Sequence, residues 1–470
     1  MEARETQARA PGGVWATLKE AVAGSEQDFT QGSLGRAVLL LAVPMILEMS
    51  MESIFGVLDV FFVGRLGPSA VAAVGLTESM LVIVFAIAMG LSLSTTAMVA
   101  RRIGEKDPEA ASQTAVQAIA LGLLVAIPSG IVGVVYAREL LALMGAPAEV
   151  AREGAVYTAW ILGGNGTILL LFLINAIFRG AGDASLAMRS LALANVVNVL
   201  LDPCLIFGLG PFPELGLAGA AIGTTVGRAV GVLYQVRAIA KGPRIVVERR
   251  HLRVQWEVMG RLLRVSAGGI VQFLIATGSW LGLVYILTPF GAGALAGYTI
   301  AVRIVVVAIL PAWGLCNAAA TLVGQNLGAQ KPERAERSVW LAGFYNMAFL
   351  GLVMVVFVLF AEPLIGVFTP DPAVRALGAS CLRIFSYGYM VYAWGMVMVQ
   401  AFNGAGDTTT PTWINLVCYW MFQIPLAFVL ARTLGYGAQG VFWAVPIAEM
   451  LIAAAGIVFF RRGTWKTRMV

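Results

Sequence analysis

Three carboxylates, Glu48, Glu52 and Asp59, lie inside one apolar stretch running from Leu39 to Gly64. A helix turns about 100° per residue, so the three fall within a sector of roughly 40° and share one face. A charged side chain at mid-bilayer costs at least ~2.5 kcal/mol, so such a stripe has to face protein or a water-filled cavity. A second acidic position follows in Asn195-Val-Val-Asn198-Val-Leu-Leu-Asp202-Pro203, where Asn198 and Asp202 are four apart and on one face. Carboxylates from two spans, with an amide between them, can bind a proton or Na⁺, because neighbouring acids in a low dielectric do not both stay ionised cheaply. The plainer alternative is a polar cluster that ties helices together. Met45, Met49, Met51 and Met80 lie near the stripe; without Cys or His beside them they read as adaptable apolar lining for substrate, not as metal ligands. Glu78, Glu449, Arg228 and Arg303 are further charges inside apolar runs, and the expectation is that they form cross-helix salt bridges.

The elements that position these residues are membrane spans. The chain has 470 residues, 59% hydrophobic and only 12% charged, with the apolar residues in long runs between short polar breaks. That pattern predicts an all-α polytopic membrane protein and excludes the alternating strands of a β-barrel. Twelve spans are expected, near 37–63, 70–99, 113–136, 155–178, 185–208 and 217–240, then 262–287, 293–323, 338–361, 378–401, 410–432 and 438–460. Residues 1–36 read as an N-terminal arm with a short surface helix around Trp15 to Val22, 241–261 as a basic connector, and 461–470 as a tail. Lys and Arg concentrate in alternate loops, which places both termini in the cytoplasm and accounts for the net charge of +6 without nucleic acid. The four cysteines sit within apolar spans, and His251, the one histidine, sits in a basic loop, so zinc sites and histidine catalysis are not expected. No nucleophile–base pair or metal cluster points to an enzyme.

The two sets of six spans repeat. Phe178-Arg-Gly-Ala-Gly-Asp183 recurs as Phe402-Asn-Gly-Ala-Gly-Asp407, 224 positions on, and Gly104 to Ala111 aligns with Gly328 to Ala335 at the same offset. One offset for two motifs indicates an internal duplication. An even number of spans per copy makes the repeats parallel, as in transporters that alternate access around a midplane site. The glycines suit tight turns at positive φ, and Asp183 and Asp407 can each cap the helix that follows. The offset also shows that the acids are asymmetric: Glu48 maps to Gln272, Glu52 to Ala276 and Asp59 to Leu283. Chemistry is therefore expected in the first half.

Several stretches carry a resemblance. Asp28-Phe-Thr-Gln-Gly-Ser33, Pro44, Leu58 to Gly67, Ala70 to Gly75, Phe178 to Asp183, Asn198 to Pro203 and Gly219 to Thr224 together resemble the prokaryotic multidrug and toxic compound extrusion (MATE) family, in its DinF-like type. The resemblance implies two V-shaped six-helix lobes, 37–240 and 262–460, in the inner (cytoplasmic) membrane. It implies export of amphipathic or cationic drugs, with H⁺ or Na⁺ as the coupling ion, no other cofactor, and a monomer. It further implies that Asp59, Asn198, Asp202 and Thr224 form the cation or proton site and that Pro44 is where the first span bends. Glu48, Glu52, Glu78, Met51 and Gln272 are candidates for substrate contact or relay. A lipid-linked oligosaccharide flippase of the same superfamily is the rival reading. It would need intramembrane cations for its headgroup, and Arg228 and Arg303 are the available ones.

Overall fold

The computed structural model describes residues 14–24, 27–242 and 244–468. Residues 1–13 and 25–26 of the expected arm, Pro243 of the connector and the last two residues of the tail lie outside that set. The described residues are helical throughout their ordered elements and contain no strand. A surface helix, α1 (Val14–Ala23), leads into six spans: α2 (Leu34–Gly64), α3 (Pro68–Gly104), α4 (Pro108–Val135), a rod made of α6 (Ala148–Gly163) and α7 (Asn165–Ala181), α8 (Ala184–Phe207) and α9 (Leu217–Lys241). A short α5 (Ala137–Leu143) precedes that rod. The second six are α10 (Trp256–Leu287), α11 (Ala292–Gly328), α12 (Pro332–Gly366), a rod of α13 (Pro372–Tyr387) and α14 (Tyr389–Gly404), a rod running Thr409–Thr433, and α17 (Gly437–Arg461). The Thr409–Thr433 rod contains α15 (Thr409–Asn415) and α16 (Ile424–Phe428), with the wider turns of a π-helix at Leu416–Gln423 and Val429–Thr433.

The backbone repeats as the sequence does. Positive φ occurs at Gly67 and Gly291, at Lys106 and Gln330, and at Gly182 and Gly406, each pair 224 positions apart. A side chain at Gly180 would meet the Thr96 carbonyl, and one at Gly404 would meet that of Ala320, again the same pair of positions in each copy. The fourth span of each half is divided, at Gly164 and at Gly388, which are also equivalent. Spans 4 and 10 are thus two-part rods, not the single helices that their unbroken hydropathy suggests. A glycine inside an apolar run does not by itself reveal a break, and packing decides it: a Cβ on Gly164 would strike Thr225 and one on Gly388 would strike Pro446. The two aspartates after these rods differ. Asp407 caps its helix by accepting from the Thr410 amide (3.3 Å), whereas Asp183 makes no such cap and accepts from the Ser185 hydroxyl (2.9 Å).

The halves meet through α2 against α11, α3 against α10, and α3 against α11. Among the described residues, every hydrogen bond between the halves lies toward the end that carries both termini. Ser94 and Ser266 share one of 2.7 Å, Gln325 Nε2 donates to the Gly180 carbonyl (2.9 Å), and Arg101 donates to the Arg468 carbonyl (3.0 Å). Close approach there depends on glycine. A Cβ on Gly104 would collide with the backbone of Gln325, and one on Gly328 with that of Arg101, which are reciprocal contacts about the axis relating the halves. The connector is tied to α4 at the same end, where His251 Nε2 meets Glu109 at 2.7 Å.

Candidate functional site

The tightest helix pair in the first half builds the predicted ion site. Gly219, Gly223, Gly227 and Gly231 recur every fourth residue along α9 and form a flat stripe against α8. A Cβ on Gly223 would occupy the place of the Asp202 carboxylate, and one on Gly227 would press on Asn198. Asp202 is therefore held against α9 at 1% exposure. Asn198 Nδ2 donates to Asp202 Oδ1 and to Thr224 Oγ1, both at 3.1 Å. Asn198 Oδ1 is buried with no partner. Carboxylate and hydroxyl oxygens thus meet at one amide NH2 group, and the amide's own oxygen is left over as a buried acceptor, a polar set that can take up a proton or, with the amide turned, a hard monovalent cation. Among the described residues, no group of three His, Cys, Asp or Glu side chains could hold a metal ion.

Asp59 faces this cluster from α2, which packs on α8. It is half-buried, with no hydrogen bond or ion pair among the described residues, and it interacts through space with Asp202, Glu78, Tyr157 and Arg228. Arg228 follows Thr224 by one turn of α9 and acts on Glu52, Asp59 and Asp202 together. Glu52 and Met51 are half-buried beside it on α2. Pro44 lies inside an α2 that continues through it.

The expected salt bridges among Glu78, Glu449, Arg228 and Arg303 do not form; none of the four has an ion-pair partner among the described residues. Glu78 and Arg303 stand exposed on opposite halves and influence each other only through space. Glu449 instead accepts from the Tyr419 hydroxyl at 3.0 Å.

Glu48 has a different environment from the two acids that share its face. It is 1% exposed and accepts from Asn175 Nδ2 (2.9 Å) and Arg179 Nη1 (3.1 Å) of α7. Asn175 Oδ1 accepts in turn from Gln235 of α9 (2.6 Å) and Ser190 of α8 (3.0 Å). One carboxylate oxygen of Glu48 thus joins a four-helix network that anchors α2 to α7, while Oε2 is buried with no hydrogen-bond partner. The second half contains the same device without charge. Gln272 and Asn403, the equivalents of Glu48 and Arg179, exchange two amide hydrogen bonds of 3.1 and 3.3 Å. Arg179, the partner of Glu48, was the residue that sequence reasoning missed. For Arg179 the signal was available, since both ends of the pair change from charged to amide at one offset.

The second half holds a mainly apolar chamber of about 470 Å³, lined by α10, α11, α14, the π-helical segment and α17, with Met89 and Leu93 of α3 on one wall. Gln272 and Asn403 lie in its wall, so the amide pair borders a cavity while the ion pair is sealed.

Among the described residues, eleven helices long and apolar enough to cross a membrane, together with the divided rod 372–404, form two parallel copies and define a polytopic helical membrane protein. The MatE family model matches residues 44–204 and 270–429, one stretch in each half, and the chain belongs to that family. It is 27% identical to a probable multidrug resistance protein NorM of Thermotoga maritima over 93% of this chain and 94% of that one. It is 25% identical to a FAD transporter of Shewanella oneidensis over 90% and 93% of the two chains. Of solved structures, a MATE protein in complex with MaL6 superposes with a TM-score of 0.88 at 26% identity, covering 94% of this chain and 99% of that one.

Proposed function

We propose that the protein is a secondary active exporter of amphipathic or cationic organic compounds, driven by inward flow of H⁺ or Na⁺ through the first half. The reading rests on one observation above others: Asp202, Asn198 and Thr224 form a buried oxygen cluster with an unpartnered acceptor, facing Asp59, at positions whose second-half equivalents are Leu426, Phe422, Ala448 and Leu283. An ion entering there neutralises charge beside Arg228 and releases it to pair with Asp59 or Glu52. The lobes are 37–240 and 262–460, with the arm, connector and tail in the cytoplasm and the closed end inward. Glu52, Glu78 and Met51 border the path between ion site and cleft, and no catalytic step is involved. Relatives named for multidrug resistance and multidrug export support the substrate class. A flippase of lipid-linked oligosaccharides is less well supported, since the charge of Arg228 is shared among three acids and that of Arg303 acts on Glu78 through space. The test is efflux of a fluorescent organic cation from proteoliposomes under ΔpH or ΔNa⁺. Asp59→Asn and Asp202→Asn should each abolish gradient-driven flux in folded protein. Full flux in both variants would overturn the assignment.

A further inference from the structure

The second-half chamber contains a carboxylate that the ion site does not use. Glu449 of α17 reaches into it; one carboxylate oxygen accepts from Tyr419, while Oε2 is buried and has no partner. The titratable groups facing Glu449 are Tyr419, Tyr392 and Cys418, with no Lys or Arg among them. The remaining wall is mainly apolar and aromatic, including Trp280 and Trp313, and its other polar groups, among them the Gln272–Asn403 pair, are uncharged. The pair is peculiar to this half: Glu449 is equivalent to Thr225, and Tyr419 to Asn195. With no Lys or Arg facing it, this carboxyl holds its proton when the chamber is empty and can exchange it for a cation that enters, since a buried charge persists where something pairs with it. The chamber's size falls within the roughly 300–1,000 Å³ of small-molecule sites. Aromatic faces attract cations directly.

We propose that this chamber is a second binding site, for a monovalent organic cation with an aromatic body. Glu449 is its counter-ion, and Tyr419 orients the carboxylate. The site lies outside the Asp59–Asp202 cluster, and binding to it requires no gradient, so a protein inactive in transport still reports on it.

Ethidium monoazide, a monovalent aromatic cation that crosslinks on illumination, is the probe, applied to the purified full chain with peptides identified by mass spectrometry. Labelling is expected on Tyr389–Gly404 and Gly437–Arg461, competed by ethidium and at least tenfold more weakly by neutral phenanthridine. Glu449→Gln keeps the shape and the Tyr419 contact and should cut this labelling at least tenfold at unchanged thermal midpoint. Val306→Trp, which fills the chamber and leaves Glu449 in place, should do the same and serves if Glu449→Gln does not fold. Labelling confined to the first half, equal competition by phenanthridine, or wild-type labelling in either folded variant would overturn the proposal.

Discussion

At the scale of single residues, the same structural post is built twice in different chemistry. Glu48 and Arg179 hold α2 to α7 by an ion pair, while Gln272 and Asn403 hold α10 to α14 by amides. Removing one partner of a buried ion pair strands the other charge and costs about 3–5 kcal/mol. Arg179→Ala should therefore lower the thermal midpoint sharply. The double substitution Glu48→Gln with Arg179→Asn, which installs the other half's amide pair, should recover most of the loss in a detergent melt. A double variant as unstable as the single one would show that the halves do not share this device. The common face of Glu48, Glu52 and Asp59 was legible because helical period alone sets it. That Glu48 is sealed while Asp59 is open to the cluster was not, since the distinction depends on which helix approaches each turn.

At the scale of elements, the glycine stripe of α9 sets how close α8 can come. Gly223→Ala should displace the Asp202 carboxylate and so cut ion-coupled efflux by an order of magnitude or more, with partial loss of stability. Gly56→Ala, on α2 with open space around its Cα, should leave both near wild type. Thermal melts and ΔpH-driven flux on the same preparations check the contrast. Pro44 removes one backbone hydrogen bond from α2 and lies one turn before the Glu48 anchor. A bend at Pro44 has to carry or break that anchor, so Pro44→Ala should slow turnover more than it weakens substrate binding. Equal single-turnover and steady-state behaviour in the variant would remove the bend from the cycle. The spans were readable from their apolar length, and the stripe Gly219, Gly223, Gly227, Gly231 stood in the sequence as a spacing. The breaks at Gly164 and Gly388 were not readable, because the neighbours that impose them, Thr225 and Pro446, come from distant spans.

At the scale of the whole molecule, one end is sealed by groups that must separate if access alternates. The hydroxyls of Ser94 and Ser266 are 2.7 Å apart across the halves. Cysteines at both positions should join on oxidation, stop transport, and release it on reduction. Transport that continues in the crosslinked protein would mean that this end stays shut throughout the cycle. The arm reinforces the seal: Arg244 of the connector donates to the Gln27 carbonyl, and Lys331 and Arg334 of the second half donate to those of Thr30 and Gly32. The repeat that organises this end was legible from a single offset, but its reciprocal contact was not, since equivalence in sequence does not say that equivalent residues touch. That contact has a further consequence. Gly104 sits on Gln325 as Gly328 sits on Arg101, so the surface where the halves meet is self-complementary in the way of a twofold homodimer. Covalent continuity is then not what holds the halves in register. Two polypeptides divided between Val247 and Glu248 and made in the same cell should find each other, co-purify, and restore the intact carrier.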